Sequence, residues 1–275
     1  MKINKTTFIS ACATILLTSA CSTSSHMINT HTQAPDNAVL GGKLYSSAWI
    51  QRSAEYKALC MQAYNIAELR LNEALQEKEK NLASKPLAVV TDIDETMLDN
   101  TPNSVHQALL GKDYEEKSWN EWCRRAEADT LCGALHFFRY AHSKGVEVFY
   151  ISNRSEADRA GTLENLKKFG FPQTDDQHLL LRQGSSNKQS RRDAVLSKYD
   201  IVLLLGDNLG DFDHVYDDGT EAMRHESVVK QRAEFGKKFI VLPNPNYGTW
   251  EKAMNGGYPT LDKRNAILKE KLKAY

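Results

Sequence analysis

From residue 87 onward the chain alternates between short apolar runs and longer stretches with helical spacing. Each run ends in polar residues, as β-strands do when they leave a buried sheet. Runs that are apolar at every position, such as 87–90 and 201–205, favour parallel strands covered by helices on both faces. The alternation predicts an α/β fold with a doubly wound parallel sheet. The predicted strands are 87–91, 146–151, 179–181, 201–205 and 239–242.

Ahead of these strands, apolar residues recur at steps of three, four and seven from Trp49 to Ala74, with Glu, Lys and Arg on the other face. This pattern predicts a helix that packs on the core. Residues 21–42 are rich in small and polar residues without periodicity, which predicts a flexible spacer and places the folded domain at 43–275. About fifty residues separate the first two strands, enough for a small helical cap inserted near 101–130.

The amino terminus has the pattern of an export signal over residues 1–20. Lys2 and Lys5 precede an apolar run at 8–17, and small residues follow at 18–20. Small residues leading into Cys21 resemble a bacterial lipobox, in which that Cys is acylated and attaches the protein to a membrane. Because Thr18 stands where a lipobox usually carries Leu, cleavage after Ala20 without lipidation is the alternative. The expected location is therefore the outer membrane, as a lipoprotein, or the periplasm.

Composition is ordinary for a globular protein, with 41% hydrophobic and 25% charged residues. Lys plus Arg and Asp plus Glu number 35 each, and removal of Lys2 and Lys5 leaves 33 against 35, a net charge of −2. Without a basic excess, no nucleic-acid partner is predicted. Beyond residue 21 the cysteines are Cys60, Cys123 and Cys132, of which Cys123 and Cys132 could pair in an oxidising compartment.

Polar clusters follow several of the predicted strands, at 92–96, 152–154 and 206–211, and Lys188 opens a predicted helix. Because parallel strands end at the same edge of a sheet, these groups are expected to converge. Two carboxylates leaving one strand, Asp92 and Asp94, repel each other unless a cation lies between them. Oxygen ligands from Asp92 and Asp207, with the carbonyl of Asp94 and water as further candidates, suit Mg²⁺. The alternative for Asp94 is a simple helix N-cap.

Three motifs carry a resemblance to a known family. DIDETMLDN at 92–100, GDNLGDF at 206–212 and LPNPNYGTW at 242–250 are similar to the bacterial class C acid phosphatases of the haloacid dehalogenase superfamily. Those proteins are mostly outer-membrane lipoproteins with four marker Asp residues, which here are Asp92, Asp94, Asp207 and Asp211 and would form the metal site. Gly210 departs from the acid expected in close relatives.

The resemblance implies catalytic roles for individual residues. Asp92 would attack phosphorus to form an aspartyl-phosphate, while Asp94 protonates the leaving oxygen and later activates water. Ser152, where the family usually has Thr, and Lys188 would hold the phosphoryl group. Asp211 would support the Mg²⁺ site or orient Lys188. Because Asp94 must begin protonated, activity is expected to favour mildly acid pH.

Substrate contacts are expected from Asn153 and Arg154 at the second strand end and from two aromatic residues, Trp119 and Tyr247. In the resembled family, aromatic residues stack on nucleobases, which points to nucleoside 5′-monophosphates as phosphate monoester substrates. An exported protein that binds haem or a nucleotide without turnover is the alternative. A homodimer is left open.

Overall fold

A central sheet of five parallel strands organises the computed structural model, which describes residues 37–80 and 85–275. The strands run in the order β5-β4-β1-β6-β7, so the chain builds outward from β1 first to one side and then to the other. This is the predicted doubly wound α/β fold. The sheet strands are β1 (Leu87–Thr91), β4 (Glu147–Ile151), β5 (Leu179–Leu180), β6 (Asp200–Gly206) and β7 (Phe239–Val241), and each lies within one residue of the predicted bounds at either end.

Helices cover both faces of the sheet because successive strand side chains point to opposite sides. On one face Val89 packs in a cluster with residues of the helices α2, α5 and α6, and on the other Val90 packs with Val195 of α7. β1 is buried along its whole length. The helices are α1 (Ala38–Arg52), α2 (Ala54–Lys80), α3 (Thr101–Leu109), α4 (Glu116–Arg125), α5 (Ala134–Ser143), α6 (Arg159–Phe169), α7 (Gln189–Leu196), α8 (Glu221–Lys230), α9 (Thr249–Asn255) and α10 (Leu261–Lys271).

A small insertion between β1 and β4 carries α3 and α4. It is closed at its base by a two-stranded antiparallel ribbon of β2 (Leu98–Asp99) and β3 (Asp129–Thr130). The insertion lies where the sequence predicts a helical cap, and it begins directly after the polar cluster that follows β1. The cap is therefore joined to that cluster by only a few residues of chain.

The amino-terminal region departs from the prediction in two ways. The spacer expected over 21–42 is wrong at its end, because α1 begins at Ala38. The Asn37 side chain caps this helix by accepting hydrogen bonds from two backbone N–H groups. Val39 and Leu40, in its first turn, are buried. The single helix expected from Trp49 to Ala74 is also wrong. Ser53 has an extended backbone, and its hydroxyl accepts a hydrogen bond from Tyr56 N (3.1 Å), so one helix ends and another begins there.

The targeting predictions, a signal at 1–20 and lipidation of Cys21, lie outside the described residues. Within 37–80 and 85–275, no helix combines the length and apolar character needed to cross a bilayer. The open Cys123–Cys132 pairing is not formed, and both thiols are free. The Cys123 backbone lies against Gly161 of α6, whereas Cys132 packs on the core cluster that contains Cys60.

Candidate active site

Three acids meet at the carboxyl edge of the sheet. Asp92 follows β1, Asp207 follows β6, and Asp211 ends a short 3₁₀ turn beyond it. One carboxylate oxygen from each lies within 4.8 Å of the others. Asp92 and Asp211 are buried and Asp207 is partly buried. Acids more than a hundred residues apart in sequence are thus brought together, as the strand-end argument predicts.

Lys188 lies among these acids at the start of α7. Its buried ammonium contacts Asp92 Oδ1 and lies 2.7 Å from Asp211 Oδ1. Burial lowers the pKa of Lys188, but Asp211 and Asp92 outweigh it and the net pKa is raised. Burial raises the pKa of Asp92 to about 7, with Lys188 opposing and Asp211 and Asp94 adding to the rise. The pKa of Asp207 is likewise held well above its usual value, because the carboxyl is buried and because the negative charges of Asp211 and Asp92 lie nearby.

The charge of this cluster fits a divalent cation. Three carboxylates and one ammonium leave a formal charge of −2 in a largely buried space. Hard carboxylate oxygens are the ligands that Mg²⁺ and similar cations prefer, and a cation among them would offset the repulsion that raises their pKa values. Asp92, Asp207 and Asp211 are therefore the residues that would hold the metal.

Neighbouring groups fix the orientation of the acids. Asp207 accepts hydrogen bonds from Thr96 Oγ1 (3.3 Å) and Asn244 Nδ2 (2.7 Å), and Asp211 accepts one from Asn208 N (2.9 Å). Gly206 makes room for Asp211, because a Cβ there would lie 2.4 Å from the Asp211 Cβ. These residues lie within the three sequence motifs, which by themselves indicate no role for them.

Asp94 lies beside this cluster with its carboxylate held by other groups. Arg154 donates to its Oδ1 from Nε (3.0 Å) and Nη2 (2.7 Å), Asn100 Nδ2 donates at 2.9 Å, and Ser152 Oγ lies 3.3 Å from Oδ2. The Asp94 carboxylate is not part of the three-acid group of the described residues, and the metal contact expected from Asp94 stays a prediction. Its predicted role as proton donor and acceptor stays a prediction.

Arg154 is buried, with 3% of its surface exposed, and its donors bind protein groups. Besides Asp94 it contacts Thr162 Oγ1 (3.0 Å). Burial alone would lower the pKa of Arg154, but the Asp94 carboxylate raises it. The guanidinium thus remains charged and positions Asp94, while its predicted contact with substrate stays a prediction.

A second arginine, which the sequence did not single out, supports the loop after β4. Arg191 of α7 donates to the Ser152 carbonyl (2.6 Å) and to Asn153 Oδ1 (2.7 Å). The Ser152 hydroxyl also accepts a hydrogen bond from Arg154 N (3.1 Å). Ser152 and Asn153 are therefore held at the edge of the site, and their predicted contacts with substrate stay predictions.

Both predicted aromatic residues border the site. The Arg154 guanidinium lies 5.6 Å from the Trp119 ring, which packs against the exposed Tyr114 at 6.3 Å. Tyr247 donates its hydroxyl hydrogen bond to the buried carboxyl of Glu95. Burial and the nearby Asp94 and Asp207 raise the pKa of Glu95 well above its usual value. Trp119 and Tyr247 thus adjoin the acid cluster through Arg154 and Glu95.

Comparison with known proteins agrees with this geometry. The family model for the HAD superfamily, subfamily IIIB (acid phosphatase), matches residues 5–250. The chain belongs to this acid phosphatase subfamily. The predicted family and fold are confirmed, and the predicted enzyme class, phosphoric monoester hydrolase, is that of the subfamily.

Solved and curated relatives support the same assignment for this acid phosphatase homologue. The class C acid phosphatase from Bacillus anthracis is 37% identical, with a TM-score of 0.81, and the match covers 86% of this chain and 99% of that one. Its tungstate-bound structure is 38% identical over 86% of this chain and 98% of that one, also with a TM-score of 0.81.

Two curated plant proteins match a shorter region. Acid phosphatase 1 of Solanum lycopersicum is 29% identical over 131 residues, which are 44% of this chain and 50% of that protein. The stem 31 kDa glycoprotein of Glycine max is 30% identical over 125 residues, which are 43% of this chain and 49% of that protein. The subfamily member described here therefore spans about half the length of these curated relatives.

Proposed function

We propose that the protein is a Mg²⁺-dependent acid phosphatase that hydrolyses phosphate monoesters through an aspartyl-phosphate at Asp92. The observation that carries this proposal is the approach of Asp92, Asp207 and Asp211 to within 4.8 Å of one another, with the Lys188 ammonium against two of them. Tungstate resembles phosphate in shape and charge, and its presence in the Bacillus anthracis relative is consistent with an oxyanion site in this fold.

The residues divide the reaction between them. An Asp92 oxygen attacks phosphorus as the bond to the leaving oxygen breaks, and the proton on Asp94 passes to that oxygen. Asp94 then takes a proton from water, whose oxygen attacks the aspartyl-phosphate and releases inorganic phosphate. Lys188 offsets the negative charge of Asp92 and the phosphoryl oxygens. A bound divalent cation would add positive charge at the same oxygens.

The proposed substrates are nucleoside 5′-monophosphates. Aromatic rings stack on bases of any sequence, each contact contributing about 1–3 kcal/mol. Trp119 and Tyr247 border the site through Arg154 and Glu95, which supports a role for these rings in holding a base.

We further propose that the protein is exported, as an outer-membrane lipoprotein acylated at Cys21 or as a periplasmic enzyme.

Release of inorganic phosphate tests the proposal. Wild type, Asp92→Asn and the control Asp200→Asn, which changes an exposed acid at the start of β6, are assayed on adenosine 5′-monophosphate. We expect Mg²⁺-restored activity after chelation in wild type and the control, and a loss of about a thousandfold or more in Asp92→Asn, since a nucleophile is removed.

Two results would contradict it. Full turnover by Asp92→Asn would show that Asp92 is not the nucleophile. Binding of haem or nucleotide by wild type, without phosphate release from any monoester, would favour the alternative of an exported ligand-binding protein.

A further inference from the structure

Glu95 lies between the two marker acids of the nucleophile loop and the cap, and the proposed reaction does not use it. It is almost fully buried, with 1% of its surface exposed. Its φ is +53°, a left-handed conformation that residues with a side chain rarely adopt. Such a conformation persists where surrounding contacts require it, and it often marks a functional loop.

The Glu95 carboxyl joins two segments that flank the site. Oε1 accepts a hydrogen bond from Asn100 N (2.7 Å) at the start of α3, and Oε2 accepts the hydroxyl of Tyr247. Asn100 in turn contacts Asp94 and accepts a hydrogen bond from the Trp122 indole (2.8 Å) in α4. Glu95 thus links the nucleophile loop to the cap on one side and to Tyr247 on the other.

The Tyr247 segment is also fixed from its backbone. Asn244 Oδ1 accepts from Asn246 N (2.9 Å) and Tyr247 N (3.4 Å), while Asn244 Nδ2 donates to the metal-site acid Asp207 (2.7 Å). The Tyr247 backbone is therefore held by Asn244, which also binds Asp207. The side-chain direction of Tyr247 is set separately, through the hydroxyl bound to Glu95.

We propose that Glu95 is a positioning residue that fixes the Tyr247 ring at the edge of the cleft and so selects monoesters whose leaving group carries a planar aromatic ring. The inference rests on the proposed function. It concerns the Glu95–Tyr247 bond, whose loss leaves the nucleophile's partners in place, because Glu95 contacts neither Asp92 nor Lys188 in the hydrogen bonds and ion pairs of the described residues. The ring, freed from Glu95, would sample other rotamers and lose its stacking contact.

The test compares two substrates on matched variants. Tyr247→Phe removes the hydroxyl and keeps the ring, and Tyr258→Phe makes the same change at a tyrosine that is 81% exposed. We expect Tyr247→Phe to raise KM for adenosine 5′-monophosphate about tenfold, as loss of a buried hydrogen bond and of stacking would do, with kcat changed less than threefold. KM for glycerol phosphate, which has no ring, should stay unchanged, as should both values in Tyr258→Phe.

Changes at Glu95 supply the second arm. Glu95→Gln keeps an acceptor oxygen and is expected to retain most of the selectivity. Glu95→Ala should raise KM for the nucleotide as Tyr247→Phe does and, because it also frees Asn100 N, should lower kcat for both substrates. The double variant Glu95→Ala/Tyr247→Phe should have the same KM for the nucleotide as Glu95→Ala alone, because Glu95→Ala already removes the Glu95–Tyr247 contact. If Glu95→Ala does not fold, Tyr247→Phe still decides the question.

The outcomes separate the inference from the proposed function. If wild type releases phosphate from neither substrate, the proposed function fails. If wild type hydrolyses both but shows no KM preference for the nucleotide, or if Tyr247→Phe shifts KM equally for both substrates or for neither, the role of Glu95 is overturned and the phosphatase assignment stands.

Discussion

Gly206 illustrates how single residues set the site. It ends β6 directly before Asp207, and a Cβ at this position would approach the Asp211 Cβ to 2.4 Å. Asp211 in turn lies 2.7 Å from the Lys188 ammonium. The missing side chain thus allows Asp211 to reach Lys188.

Gly206→Ala is expected to push Asp211 away from Lys188 and Asp92 and to weaken Mg²⁺ binding at least tenfold. The apparent Mg²⁺ affinity is measured by titration calorimetry and by reactivation after chelation. Gly42→Ala is the matched control, because a Cβ there meets nothing within 4 Å. Equal Mg²⁺ affinity in both variants would contradict the prediction.

The buried acids also affect stability before a cation binds. In the metal-free protein, Asp92→Asn removes one of three crowded carboxylates, so at pH 8 we expect a higher melting temperature than that of wild type. Mg²⁺ should raise the melting temperature of wild type by more than that of the variant, since binding to the folded state stabilises it. Thermal unfolding with chelator and with Mg²⁺ measures both. A metal-free Asp92→Asn protein less stable than wild type would count against a repulsive cluster.

Among single residues, the sequence predicts the charged groups of the site better than the residues that hold the surrounding loops in place. Asp92, Asp207 and Lys188 are recognisable because each follows a strand or opens a helix at the sheet edge, and topology brings these positions together. Glu95 and Arg191 carry no comparable signal. Glu95 binds Tyr247, and Arg191 binds Asn153. Both hydrogen bonds join residues far apart in the sequence, so they depend on the three-dimensional packing.

Among the elements, the cap helix α4 is seated against α6 by close backbone contact. A Cβ on Gly161 would lie 2.2 Å from the Cys123 carbonyl oxygen, so the two helices approach more closely than side chains would allow. Asn165 of α6 also pairs with the Ala128 backbone at the return of the cap, through bonds of 3.1 and 2.9 Å. The cap that carries Trp119 is thus held by α6.

Gly161→Ala should separate α4 from α6. We expect a loss of about 1–3 kcal/mol in the free energy of unfolding, the usual cost of overpacking. Urea unfolding measures this, with Gly41→Ala as the control because a Cβ there also meets nothing within 4 Å. An unchanged urea midpoint in Gly161→Ala would mean that the cap does not depend on this contact.

The bounds of an element are predictable where its pattern of apolar and polar residues extends over several residues. The sheet strands are apolar runs bounded by polar residues, and their positions agree with the prediction. The strands β2 and β3 are two residues each, too short to show alternation, and they are recognised only through their pairing. The sequence predicts the start of the helical region too late, because Gly41 and Gly42 are typical of a spacer, although the Asn37 cap lies before them.

Across the whole molecule, a cluster of charged residues ties the first helix to the cap and the last two helices. Lys43 of α1 lies 3.3 Å from Asp113 in the cap and 4.0 Å from Glu251 of α9, and Arg264 of α10 contacts both acids. Burial alone would raise the pKa of Asp113, but Lys43 and Arg264 outweigh it and the net pKa is lowered. The cluster therefore stabilises the fold with Asp113 ionised.

Asp113→Asn tests this contribution through pH. Because the pKa of Asp113 is lower in the folded than in the unfolded state, its stabilisation is full above the unfolded pKa of about 4 and is lost as pH falls through the folded value. We expect the variant to be less stable than wild type by about 2 kcal/mol at pH 7, and we expect this gap to be smaller at pH 3. Urea unfolding at both pH values measures the difference. The exposed Asp262→Asn is the control, and a gap as large at pH 3 as at pH 7 would contradict the assignment.

The contact between the first and last helices also bears on synthesis. Ala38 N donates to Asn265 Oδ1 (3.0 Å), and the two basic partners of Asp113 come from opposite ends of the described chain. A chain emerging amino end first makes Lys43 and the cap long before it makes Arg264. The cap loop therefore acquires its second cation only after α10 has left the ribosome, so its complete tethering follows the synthesis of the sheet.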